Sequence, residues 1–221
     1  MAMNKRYLGR QDLPAELRIF PLSGCLLLPR VELPLNIFEP RYLAMVDRAM
    51  ASDRLIGVIQ PLSDAAGPEA SGLFPVGCAG RLTRFAETGD GRYIITLEGV
   101  CRFRVAGEIQ TDAAFRTVAC DFAPFVEDLR PGYGEEDVDR DAVLEALRAY
   151  TERNSIPVDW NSIRTSSSEM LVNALSAMSP FGPPEKQALL EAPDLATRAQ
   201  ILVAATEIEL AARGGPKSRP N

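Results

Sequence analysis

Lysine, cysteine and carboxylate groups are the side chains in this 221-residue sequence with the means to do chemistry, because it contains no histidine. That absence removes Ser-His-Asp and Cys-His arrangements, imidazole acid–base steps and histidine metal ligands. The three lysines are Lys5, Lys186 and Lys217, and none follows a glycine, so the GxxxxGK[ST] phosphate loop is missing. A Ser-Lys dyad would have to use Lys186, which sits in the helix start PPEKQ at 183–187. The four cysteines, Cys25, Cys78, Cys101 and Cys120, are scattered, without the close pairs that zinc sites use. Three lie in apolar, strand-like surroundings, where reduced cysteine behaves as a small hydrophobe, so buried free thiols are expected. Carboxylates gather at 127–137, but no spacing singles out an acid–base pair, and a solvated linker is the simplest reading. No catalytic residue, metal or cofactor is expected.

The elements that carry these residues change character along the chain. Residues 1–125 hold fourteen Arg/Lys and fourteen Asp/Glu; residues 126–221 hold ten and sixteen, which accounts for the whole net charge of −6. An acidic chain lacks the electrostatic footprint of a nucleic-acid binder, so that partner class is disfavoured. The densest apolar run, at 25–28, is cut by Pro29 and is too short to span a bilayer. No apolar stretch follows the basic residues near the start, so no signal peptide is expected and a bacterial, cytoplasmic protein is the reading.

The first part reads as β structure with one helix. Strands are expected at 17–20, 25–28 and 55–59, and a helix from Pro40 carries Leu43, Val46 and Met50 on one face. Residues 63–72 read as a loop. Strands at 81–86 and 92–97 flank a tight turn at Asp90-Gly91; after Gly99 comes another at 100–105, whose Arg102 and Arg104 are expected to point outward, and 115–122 supplies one more. Several short strands joined by tight turns imply a small curled antiparallel sheet or barrel. The second part turns to helical spacing. Val143, Leu144, Leu147 and Tyr150 form one stripe; a capping-box pattern, Ser166 with Glu169, precedes Met170, Leu171, Ala174, Leu175 and Met178. Pro184 opens a short helix with Leu189 and Leu190, and Asp194 caps the last one. The only tryptophan, Trp160, is expected to pack in this half. The expected organisation is a β-rich part at 1–125, a helical part at 126–214 and a disordered tail at 215–221, the two parts meeting at an exposed acidic linker.

Three ordered blocks carry a resemblance. The segment from Arg18 to Met50 contains Pro34, Leu35, Ile37, Phe38, Glu39, Arg41 and Tyr42 leading into a helix; IGVI at 56–59 and VGCAGRLTRFAETGDGRYIITLEGVCRFRV at 76–105 follow. Together they resemble the opening of the Lon protease N-terminal, substrate-binding domain family, closely over about the first 125 residues and loosely beyond. One departure is Leu28-Pro29-Arg30, where many relatives have a Phe-Pro-Gly-like turn. On physical grounds Ile37 and Phe38 are expected in a core, Glu39 and Arg41 to pair locally, and Arg81, Arg84, Arg92, Arg102 and Arg104 to be solvated strand positions. The resemblance implies an α+β fold: a PUA-like curled antiparallel β subdomain, a pseudo-barrel, followed by a helical bundle. It implies a stand-alone form without the ATPase and protease domains, acting as a non-catalytic module that binds a protein or unfolded polypeptide. A PUA-like nucleic-acid binder and a carboxylate-dependent enzyme are the rival readings. Neither binding residues nor oligomeric state can be assigned.

Overall fold

The computed structural model describes residues 6–63 and 72–212. Six strands form one mixed sheet: β1 (Glu16–Pro21), β2 (Glu32–Ile37), β3 (Leu55–Ile59), β4 (Val76–Glu87), β5 (Tyr93–Ile109) and β6 (Thr117–Asp121). Pairing runs β5–β4–β3–β1–β6 and returns from β6 to β5, which closes five strands into a barrel. Only β1–β3 is parallel. β4 lies along one edge of β5; the other edge takes β2 over residues 93–98 and β6 over 104–109. Among the described residues β2 pairs with no other strand and leaves one edge open. The curled, mostly antiparallel architecture expected from the period-two pattern is therefore present.

Two strand assignments change. Residues 100–105 continue β5 instead of starting a new strand. Gly99 marks a crossing: a Cβ there would lie 2.0 Å from the Leu28 carbonyl oxygen. Residues 25–28 form no ladder; Leu26, Leu27 and Leu28 are buried in the core as this segment passes over β5. The strand lies after them, at Glu32–Ile37.

α1 (Pro40–Met50) starts at its proline and buries Tyr42, Met45, Val46 and Ala49, with Leu43 and Met50 at the margins of that face. Tyr42 stacks against Phe20 at 4.3 Å. Ile37 enters the core as expected, but Phe38 is 61% exposed. Successive strand residues point to opposite faces, so only one of an adjacent pair can face inward. Glu39 and Arg41 do pair, at 2.7 and 3.0 Å.

The helices are α2 (Arg140–Asn154), α3 (Trp160–Thr165), α4 (Ser168–Met178), α5 (Pro183–Glu191) and α6 (Leu195–Ala212). Carboxylates of Asp139, Asp159 and Asp194 accept N–H bonds at the starts of α2, α3 and α6, satisfying donors the helices leave open. The cap of α4 is Ser167, one residue later than expected; its hydroxyl accepts from the Met170 N–H at 3.2 Å. With the cap at Ser167 the third helical position falls on Met170, so no capping box forms, and the Glu169 carboxylate is engaged by Arg30 and by the Gly132 N–H. Trp160 is half-buried, with Arg148 over its ring at 5.4 Å. α6 packs against α2, α4 and α5, and α5 rests on β4. Leu17 and Phe103 of the barrel and Val143, Val172, Leu190 and Leu202 of the helices belong to one buried cluster. Nearly all of the expected 63–72 loop, residues 213–214 and the expected tail at 215–221 lie outside the described residues.

Candidate functional site

Lys186, the one lysine among the described residues, is occupied structurally. The Lys186 ammonium donates to the carbonyls of Gly24 at 2.8 Å and Ala177 at 3.3 Å, which ties α5 to the loop after β1 and to the end of α4. The four thiols are free, Cys78 and Cys101 fully buried. Burial pushes Cys78 up to about 12, and Cys101 is raised for the same reason, so neither is a thiolate near neutral pH. Among the described residues no group of three or more Cys, Asp or Glu is arranged to hold a metal ion. No helix described is long and apolar enough to cross a membrane.

The seam between barrel and helices overturns the expectation for Arg102. Its alternation with Cys101 and Phe103 does turn it away from the barrel interior, but that outer face is covered by the helical part, and Arg102 is 3% exposed. Asp128 receives it as a fork, Nε to Oδ2 at 2.9 Å and Nη2 to Oδ1 at 2.8 Å, and also takes the Arg102 backbone N–H at 2.9 Å. Nη1 donates to the carbonyls of Leu190 and Ala192, and the guanidinium stacks over Phe125 at 4.5 Å. Asp128 is thus no part of a solvated linker. Arg198, also buried, donates to the Leu189 carbonyl at 2.9 Å and to Asn173 Oδ1 at 2.7 Å. Burial, then the neighbouring Arg102 cation, pull its pKa down to about 9. The other strand arginines conform better: Arg104 is exposed, Arg84 pairs with Glu32 at 2.9 Å and Arg92 with Asp90 at 3.4 Å.

These polar contacts hold α4 in one orientation. Glu169 is fixed by Arg30 and Gly132, and Asn173 donates to the Pro29 carbonyl at 3.3 Å while accepting from Arg198. Arg30 reaches Glu169 and the Asp128 carbonyl, the latter at 2.7 Å, from a backbone with φ of 65°. That is the left-handed region which the Gly-like turn of relatives would enter without strain. With Val172, Asn173 and Ser176 buried, the opposite side of α4 carries Met170, Ala174 and Met178, spaced four apart. Met170 is 44% and Met178 80% exposed.

These three residues form a ridge shared by two grooves. One, of about 530 Å³, opens between α2, α3, α4 and α6 and is lined by Leu147, Ile156, Leu175 and Val203 among others. The second, of about 670 Å³, runs between α4 and the segment leading into β2, with Leu26, Val31, Leu33 and Pro34 on its far wall. Glu32 and Glu98 line this second groove, whereas its two cations, Arg30 and Lys186, direct their donors into the protein. The exposed surface is therefore mainly apolar, with Glu98 and the Arg84-paired Glu32 along it. The methionine stripe was legible only as a buried face. At 100° per residue, however, the apolar arc of α4 covers roughly 220°, too wide for one core contact.

A closed barrel, a helical part fastened to it and a two-groove apolar ridge define a small α+β module with an exposed apolar surface. The chain belongs to the family described as the ATP-dependent protease La (LON) substrate-binding domain, whose model matches residues 16–205. It is 25% identical over 211 residues to a Lon protease of Flavobacterium johnsoniae, covering 92% of this chain and 25% of that protein. It is 29% identical over 104 residues to Lon protease 2 of Myxococcus xanthus, covering 47% of this chain and 13% of that protein. The chain thus spans a quarter or less of these two relatives. The fold matches the Lon N-terminal domain protein of Xanthomonas campestris, with a TM-score of 0.62, 22% identity and 86% and 97% of the two chains covered. It also matches the N-terminal domain of a Mycobacterium avium complex Lon protease, at 0.64, 17% identity and 87% and 98% coverage.

Proposed function

We propose that this chain is a non-catalytic polypeptide-recognition module, which binds apolar segments of unfolded protein across the α4 ridge and works in the cytoplasm. The observation that carries the reading is the exposed Met170 and Met178 between two apolar grooves. Methionine is flexible and polarizable, so such a surface accommodates side chains of different shape, as a receptor for many sequences requires. Membership of a substrate-binding family points the same way. In this reading residues 1–125 supply the barrel wall of the surface and residues 126–214 its helical wall.

Each Leu- or Phe-sized side chain buried contributes roughly 1.5–3 kcal/mol before ordering costs, so two or three give weak to moderate affinity that survives salt. A nucleic-acid binder would instead lose affinity steeply with salt, because releasing counterions into a saltier solution gains less entropy. The test is a paired titration with a permanently unfolded model protein and a mixed oligonucleotide, at low and high salt, on wild type and Met178→Glu. Polypeptide binding that persists in salt and falls in the variant is expected. Salt-sensitive oligonucleotide binding without polypeptide binding overturns the reading.

A further inference from the structure

We infer that the free edge of β2 captures its ligand as an added β-strand, so that a bound polypeptide lies extended between β2 and α4; this rests on the polypeptide-recognition reading above. The parity of the ladder says which backbone groups are available. β2 and β5 pair antiparallel with Glu32 opposite Glu98 and Leu33 opposite Leu97, and the Gly99 N–H donates to the Val31 carbonyl at 2.9 Å. Hydrogen-bonded pairs alternate with non-bonded ones in such a ladder. Continuing from Val31, residues Leu33, Leu35 and Ile37 bond to β5, and Glu32, Pro34 and Asn36 turn their backbone groups to the open edge. Three carbonyls and two N–H groups face outward there. Pro34 occupies an outward position, where its missing N–H costs the sheet nothing.

The open edge does not face empty solvent. Glu32, Leu33 and Pro34 form one wall of the groove whose other wall is Met170, Ala174 and Met178. An added strand would satisfy its backbone along β2 and lay side chains against Leu33 on one side and the methionines on the other, the strand-addition mode of peptide recognition. Glu32 is already held by Arg84, so it is the Glu98 carboxylate on the groove wall that favours a ligand carrying lysine or arginine among its apolar residues.

The same features select against a second copy of this chain as the occupant. Antiparallel self-pairing about Pro34 would set two prolines face to face with no donor between them. It would also bring together two chains that each carry a net charge of −6.

The test uses a fluorescent ten-residue peptide alternating leucine with lysine, and two isomers N-methylated on alternate amides, one set of amides each. Strand addition predicts that one isomer binds at least about tenfold more weakly, through two or more lost hydrogen bonds, while the other stays close to the parent. Asn36→Pro, which removes an outward N–H without touching the β5 ladder, is expected to weaken the parent peptide about fivefold while leaving the circular dichroism spectrum intact. Equal behaviour of the two isomers, bound or unbound, overturns strand addition, as does dimerisation of the free chain that the peptide abolishes. If the unfolded model protein still binds in that case, apolar capture stands without the strand. If neither peptide nor unfolded protein binds, the reading beneath it fails too.

Discussion

Replacing Asp128 by alanine removes the carboxylate that forms the ion pair with Arg102 at the seam. The side chains of this pair are 4% and 10% exposed, so the fork is shielded from water. With Asp128 gone, Arg102 keeps the Leu190 and Ala192 carbonyls and the Phe125 ring but has no hydrogen-bonded counter-charge, and Arg198 loses a favourable charge while keeping an unfavourable one. Breaking a buried pair on one side costs about 3–5 kcal/mol, because the surviving charge stays desolvated. A domain of this kind has roughly 5–15 kcal/mol in total, so the variant loses a large share of it. Urea denaturation followed by circular dichroism should show the midpoint falling by about 1.5–2.5 M, for a slope near 2 kcal/mol/M. The double variant Asp128→Leu with Arg102→Met, which replaces both charges by apolar volume, should be less damaged than Asp128→Ala alone. A loss below about 1 kcal/mol for Asp128→Ala, the range of exposed pairs, would refute the claim that this ion pair fastens the helices to the barrel.

Three further outcomes are expected. Arg30→Gly should be more stable than Arg30→Ala by about 1 kcal/mol in the same denaturation assay, because only glycine occupies a φ of 65° without strain. Thiol labelling of the native protein should reach half-buried Cys25 first, while Cys78 and Cys101 react only at the rate of unfolding; prompt labelling of Cys78 would contradict its burial. In acid, the Asp159 and Asp194 carboxylates are held below their ordinary 3.8, the first chiefly by the Ser162 hydroxyl and the second by the Thr197 N–H. A depressed carboxylate contributes fully above its unfolded value and loses that contribution as pH falls through the folded one, so these caps should weaken only below about pH 4. A pH titration against Asp159→Asn and Asp194→Asn checks this.

Much of the fold could be read from local signals. The Asp90-Gly91 turn, the proline opening α1 and the aspartates before α2 and α6 act through nearby backbone, so the sequence states them directly. What escaped depends on distant chain. Gly99 looked like the end of a strand, but it is small because Leu28 crosses it. Arg102 alternates as an outward residue should; nothing within 20 residues tells that α5 and Asp128 cover that side. The edge strand β2 was obscured by its two-sided environment and by Pro34, which argues against a central strand but is acceptable at an edge. For the proposed binding surface the apolar residues were visible, but a stripe 170–174–178 looks the same whether another helix covers it or water does.

The ladder between β1 and β6 joins Leu17 to Val118, 101 residues further along the chain. On a ribosome adding about 5–20 residues per second, β1 is made several seconds before the strand that closes the barrel over it. The β4–β5 hairpin, built from neighbours in sequence, can form on its own while that wait continues; β1 and β3 have only each other and a growing β4. Because such long-range closure is slow, the buried edge of β1 is exposed longest during synthesis. On the proposed function, the chain therefore passes through an interval in which its own first strands are the kind of segment it would bind.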